Sequence, residues 1–214
     1  MILKSWPLAA VAAVLCATGI ASGQSTHVKD LRVGKLLVAA RDLPDPDFAQ
    51  SVILLVHYDH EGAVGLMLNR RTRATISRVI QDLDTGKRGS DPIYVGGPVE
   101  MSVVMGLLKS QQKPEEADSV LSDVYLVSTK ALLQKSLAGS SGPSDLRLYL
   151  GYCGWGGGQL ENEMQAGGWW IFDADVGVVF DPDPGSIWSR FIARTERLNA
   201  QSEPGALHRA GSGR

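Results

Sequence analysis

Cysteine is almost absent from this chain: two occur in 214 residues, and Cys16 falls in an apolar stretch at the N-terminus. If that stretch is removed on export, Cys153 is the lone thiol, which excludes an internal disulfide framework. A long apolar run is lacking too. Leu8 to Ile20 is nearly all apolar but shorter than the roughly 20 residues a spanning helix needs. With Lys4 before it and Ala21-Ser22-Gly23 after it, the run reads as a signal peptide over 1–23, cleaved after Gly23. The bulky Leu15 before Cys16 disfavours a lipoprotein, and no stable membrane anchor is expected after cleavage. The localisation that follows is secreted or periplasmic. There is no excess of positive charge: 21 Lys and Arg face 23 Asp and Glu, and removal of Lys4 makes the balance one unit more negative. Direct nucleic-acid binding is therefore not expected, and the one basic cluster, Arg70, Arg71 and Arg73, reads as a solvated turn. HExxH and a P-loop Lys-Ser/Thr pair are also missing.

What is present is strongest in Leu146 to Trp170. Leu146, Leu148 and Leu150 alternate with Arg147 and Tyr149 as in a half-buried strand, and Gly154 with Gly156 to Gly158 are expected to break it. Gln159 to Gln165 then reads as a short helix, with Glu161 and Glu163 favourable near its N-terminus. Gly167-Gly168 end it before an apolar strand over Trp169 to Phe172. The polar lead-in 24–33 precedes a buried strand over Gly34 to Ala40. Asp42, Pro44, Asp45, Pro46 and Asp47 form a connector that Phe48 pins to the core. Ser51 to His57 and Ala63 to Leu68 make a hairpin. The pattern further predicts a Thr-capped helix over Thr75 to Leu83, strands over Pro92 to Val95, Val103 to Leu108, Asp123 to Ser128 and Val176 to Phe180, and helices over Thr129 to Ala138 and Ile187 to Leu198. Gln111 to Ser119 reads as a solvated loop and 199–214 as a disordered tail. Hairpins mixed with helices, without regular strand-helix alternation, predict one α+β domain over 34–198. Its sheet should be mixed, mostly antiparallel and flanked by helices.

Three blocks, GKLLVAARDLPDPDFAQSVILLVHYDHEGAVGLMLNR (Gly34 to Arg70), YVGGPVE (Tyr94 to Glu100) and LGYCGWGGGQLENEM (Leu150 to Met164), resemble the YqgE/AlgH family of bacterial proteins in the same order. The resemblance implies a single domain of mixed helix and sheet, and it brings no catalytic residues and no established reaction; some members are described as regulators. Two departures stand out. Met101 to Ser110 lacks the histidine that the family usually carries after GGPVE, and Cys153 stands where the family tends to have alanine. The family also resembles cytoplasmic proteins, which gives the alternative localisation.

Several constellations invite a chemical reading. His57, Asp59, His60 and Glu61 hold metal-ligand types, but a polar hairpin loop accounts for them and no distant residue completes a site. Cys153 sits where a nucleophile elbow would place a thiol, yet Trp155 occupies the position that motif reserves for glycine, so a packed thiol is expected. The glycines before Gln159 suggest an anion nest, opposed by Glu161 and Glu163; close packing of the turn against Gly96-Gly97 is the preferred account. No catalytic residue, metal ligand or cofactor is assigned. The reading is a non-enzymatic binding or accessory domain for a protein or small-molecule partner. Its candidate surface comprises Asn69, Gly96, Gly97, Pro98, Gly154, Trp155, Gly156 and Gln159. The alternative is a hydrolase or small-ligand enzyme with its site at the same turns.

Overall fold

A computed structural model describes residues 28–202 of the chain, with side-chain surroundings through 196. The expected signal peptide and the tail beyond 202 lie outside the described residues. The first half supplies β1 (Lys35–Ala39), β2 (Val52–Tyr58), β3 (Gly62–Met67), β4 (Arg71–Thr75), α1 (Ile76–Val79), β5 (Pro92–Val95) and β6 (Val99–Lys109). The second supplies β7 (Asp118–Ser119), β8 (Val124–Val127), α2 (Lys130–Gly139), β9 (Leu146–Gly156), α3 (Gln159–Gln165), β10 (Trp169–Asp173), α4 (Val176–Val179) and α5 (Ile187–Ser202). None of the described helices is long and apolar enough to cross a membrane.

The architecture is the expected α+β domain, with a curled and mostly antiparallel sheet. Strands follow the order β10-β1-β2-β3-β9-β6-β8-β7, and β5 pairs with both β4 and β9. The β5–β9 pairing is parallel, whereas β3 and β6 meet β9 antiparallel. Strand β9 is the hinge of the design. Its first part pairs with β5 and β6 through Leu146 to Tyr152, and its last residues, Cys153 to Gly156, pair with β3. The glycines therefore do not break the strand at Gly154; pairing runs through Gly156, opposite Gly62.

Both faces of the sheet are covered, which changes the reading of the Leu-Arg-Leu-Tyr alternation. Leu146 and Leu148 pack with Leu132, Leu133 and Leu137 of α2, while Tyr149 joins a cluster with Leu36, Leu54, Leu66, Phe180, Ile187 and Ile192. Arg147 and Tyr149 are buried, not solvent-facing. Arg147 donates to the main-chain oxygens of Pro143, Val179 and Asp181, and its guanidinium lies over the rings of Tyr94 and Phe180. A third cluster, with Leu37, Ile53, Leu55, Met67, Cys153, Trp155 and Trp169, is closed by Leu160 and Met164 of α3.

Five segments differ from expectation. The helix expected over Thr75 to Leu83 is the single turn α1; Thr75 makes no side-chain cap bond, and Ile80 turns extended with ψ of 102°. Ile80 and Leu83 are buried all the same, so their apolar spacing reflects contact with the α2 cluster rather than a helix. The valine-rich 176–180 run is a helical turn instead of a strand, because Asp175 Oδ1 accepts from Val178 N at 2.9 Å. Residues 71–75, expected as a turn, form β4. Helix α5 continues to Ser202, into the segment expected to be disordered. The 111–119 loop also buries Ala117 and ends in the short β7.

Candidate functional site

The candidate residues fall into two neighbourhoods. The first begins where β3 ends. Asn69 Oδ1 accepts from Val52 N at 2.9 Å and its Nδ2 donates to Gln50 O at 2.8 Å, so this side chain ties the 45–51 connector to the start of β2. Arg70 adds a bond to Ala49 O at 2.8 Å. The connector thereby forms a wall beside the β5–β6 turn. Gly96 and Gly97 pass directly across β9: a Cβ on Gly97 would stand 2.1 Å from the carbonyl carbon of Tyr152, and one on Gly96 2.3 Å from Gly151 O. Only glycine allows this approach. The close approach to Gly96-Gly97 is thus made by Gly151 to Cys153 and not, as expected, by the 154–158 turn, where a Cβ on Gly157 would instead meet His60 O at 2.7 Å. Pro98 follows, and Glu100 takes a left-handed φ of 46° within the irregularity between Val99 and Val104.

Gly97 and Pro98 line an open groove of about 320 Å³ with Pro46, Asp47, Met67, Arg70, Arg71, Thr72, Val95 and Met101. Met101, 46% exposed, is one of only two large apolar side chains so open among the described residues; the other is Val79. A second open groove, of about 450 Å³, shares Arg71 and Thr72 and is lined further by Arg73, Ala74, Thr75, Ser90 and Pro92. The two meet along β4. Arg71 reads from the sequence only as part of a solvated turn, and Thr72 and Met101 carry no site signal there, although the Arg-Thr-Arg-Ala-Thr alternation has the two-residue period of a strand.

The second neighbourhood is the β9–α3 turn, and it is internally satisfied. Trp155 is 5% exposed and therefore not a surface group. Its Nε1 and that of Trp169 both donate to Glu163 Oε2, at 3.0 and 2.9 Å, while Gln159 Nε2 donates to Glu163 Oε1 at 3.0 Å. Gly156 N donates to Gln159 Oε1 at 3.2 Å. Phe48 stacks on Trp155 and meets Trp169 edge-on, confirming its anchoring role. Glu161 accepts from the hydroxyl of Tyr58 at 2.5 Å, and burial together with this bond pushes the phenol up to about 12. Both acids thus act through specific bonds, beyond the helix dipole. Gly154 lies against the ring of Tyr152, 3.3 Å from the position of an added Cβ.

Cys153 is fully buried, and its Sγ donates to Gly96 O at 3.3 Å. Burial pushes its thiol well up, opposed only in part by Arg70. That is the state of a packed thiol and not of a nucleophile, which needs a thiolate. In the β2–β3 loop His57 pairs with Asp59 at 3.0 Å, and Asp59 also accepts from the main-chain amides of Glu61 and Gly62. These bonds hold the Asp59 carboxyl below its usual range, the amide of Glu61 first.

A family model described as AlgH-like matches residues 36–198. A UPF0301 protein of Streptomyces coelicolor is 34% identical over 175 residues, covering 79% of this chain and 89% of its own length. One from Chlamydia caviae is 35% identical over 162 residues, with 76% and 85% covered. Among solved structures, the solution structure of the AlgH protein from Pseudomonas aeruginosa is similar at a TM-score of 0.63 and 28% identity, covering 88% of this chain and all of that one. A crystal structure of a Corynebacterium diphtheriae protein matches at the same TM-score, with 26% identity and 76% and 86% coverage.

Proposed function

The chain belongs to the AlgH-like family, and from that premise we propose that it is a non-enzymatic binding or accessory domain whose contact surface is the pair of grooves meeting along β4. The observation that carries this reading is the character of their lining: guanidinium, hydroxyl and thioether groups with a single carboxylate, Asp47, around Gly97 and Pro98, in open grooves, while the thiol of Cys153 is fully buried. Such groups hold a partner. Catalysis by general acid and base asks instead for titratable groups converging on a reacting atom.

Native mass spectrometry of the full protein, purified gently from its own cells, tests the reading. A bound species that is lost from Met101→Arg and recovered chemically unchanged supports it. Turnover of that species, abolished by substitution in either groove, would replace it with the enzyme reading. The same proposal places the domain outside the cytoplasm, on the strength of Lys4, the Leu8 to Ile20 run and Ala21-Ser22-Gly23. N-terminal sequencing should return Gln24; Met1 in a cytosolic fraction would return the chain to the location expected from its family.

A further inference from the structure

Among the described residues strand β4 is hydrogen-bonded to β5 alone, and no strand lies on its other edge. Main-chain groups along such an edge are a template for a further strand. All five residues of β4 line the larger groove, whose remaining lining is Ser90 and Pro92. The strand is held from behind: Thr72 Oγ1 donates to Ile93 O at 2.8 Å and accepts from Ala74 N at 3.1 Å, and Val95 N donates to Arg70 O at 2.9 Å. Arg71 and Arg73 are exposed, and among the described residues neither has a carboxylate within ion-pair distance. The pairing of β4 with β5 shifts register between Arg71 and Thr75, and both arginine side chains reach solvent. Two unpaired guanidinium groups on one short strand match carboxylates of a strand laid beside it.

We infer that the open edge of β4 takes up an extended acidic peptide segment as an added strand, with carboxylates of that segment meeting Arg71 and Arg73. Main-chain bonds provide the affinity and the two arginines select the charge. This deepens the binding-domain reading and rests on it.

Fluorescence anisotropy with the full protein tests the inference, using a labelled ten-residue peptide that alternates glutamate and valine. Three comparison probes are used: a lysine-valine peptide, a glutamate peptide with prolines at the valine positions, and a single-stranded oligonucleotide of equal charge. The glutamate-valine peptide should bind, and Arg73→Glu, verified as folded by its circular dichroism melt, should weaken it at least tenfold. The Arg71→Glu/Arg73→Glu protein should instead bind the lysine-valine peptide. Equal binding of the proline peptide would overturn strand addition, and preference for the oligonucleotide would overturn the peptide class. Absence of binding to folded parent protein would overturn the inference, as would self-association of the parent that the arginine substitutions abolish, since a second copy would then occupy the edge. If the peptide fails while an unchanged native species still leaves Met101→Arg, the binding-domain reading survives and this inference does not.

Discussion

Cys153 and Arg147 are adjacent in importance and opposite in legibility. Burial among Leu37, Ile53 and Met67 was foreseeable for a lone thiol beside glycines, and the structure accounts for it by packing. Cys153→Ala should therefore leave binding intact and cost at most about 1–2 kcal/mol by chemical denaturation. Alkylation of the native thiol near pH 7 should be slow; rapid labelling would contradict its sealed position. Arg147 read as a solvent-facing residue because the alternation of β9 cannot show whether a strand is covered on one face or two. Its guanidinium satisfies three main-chain oxygens, that of nearby Pro143 and those of Val179 and Asp181 in one distant segment. Arg147→Ala would orphan those acceptors, and a loss of about 3 kcal/mol or more is expected in a urea melt, with Arg147→Lys recovering only part.

At the scale of elements, α3 shows what residue pattern alone misses. Its seven residues and glycine borders were legible, but Glu163 reads from sequence as a dipole partner worth a few tenths of a kcal/mol. In the structure one carboxylate gathers two indoles and an amide, docking α3 onto β9 and β10. Glu163→Ala should cost about 2–3 kcal/mol and shift tryptophan emission, whereas Glu163→Gln, which keeps an acceptor oxygen, should cost less. An emission spectrum unchanged in both variants would contradict the clasp. The missed strand β4 and the mistaken 176–180 strand share a cause. Each is decided by a single polar side chain, Thr72 against β5 or Asp175 at a cap, and five-residue patterns cannot weigh such bonds against apolar content.

Across the whole molecule, domain class, the β2–β3 hairpin and most strands were legible from periodicity and turn residues. Which strands neighbour one another was not, because register between distant segments leaves no local mark. The pH response also belongs to this scale. Tyr58, raised from 10.0 to about 12, is neutral in the fold longer than in the unfolded chain. A raised acid stabilises fully below its unfolded pKa, and that contribution is lost as pH climbs from about 10 through about 12. Tyr152 and Tyr149 shift upward too, by burial first, so each adds to the loss of stability as pH rises above the unfolded value of 10.0. Tyr58→Phe should flatten part of that slope in a pH series of denaturant melts. On the acid side Asp173, held down chiefly by its bond to Lys35, contributes above its unfolded value of 3.8 and loses this as pH falls through its lowered folded value.

Strand β9 lies between β6 on one edge and β3 and β5 on the other, yet it is made after all three. During synthesis the ribosome therefore delivers the middle of the sheet late, and a nascent chain ending before Leu146 leaves β3 and β6 each with an edge waiting for a neighbour. Chains stalled at that length should be protease-sensitive and held by chaperones. Release past Gly156 should convert them abruptly to a resistant form, so the vulnerable interval of this protein's life is set by the position of one strand in its gene.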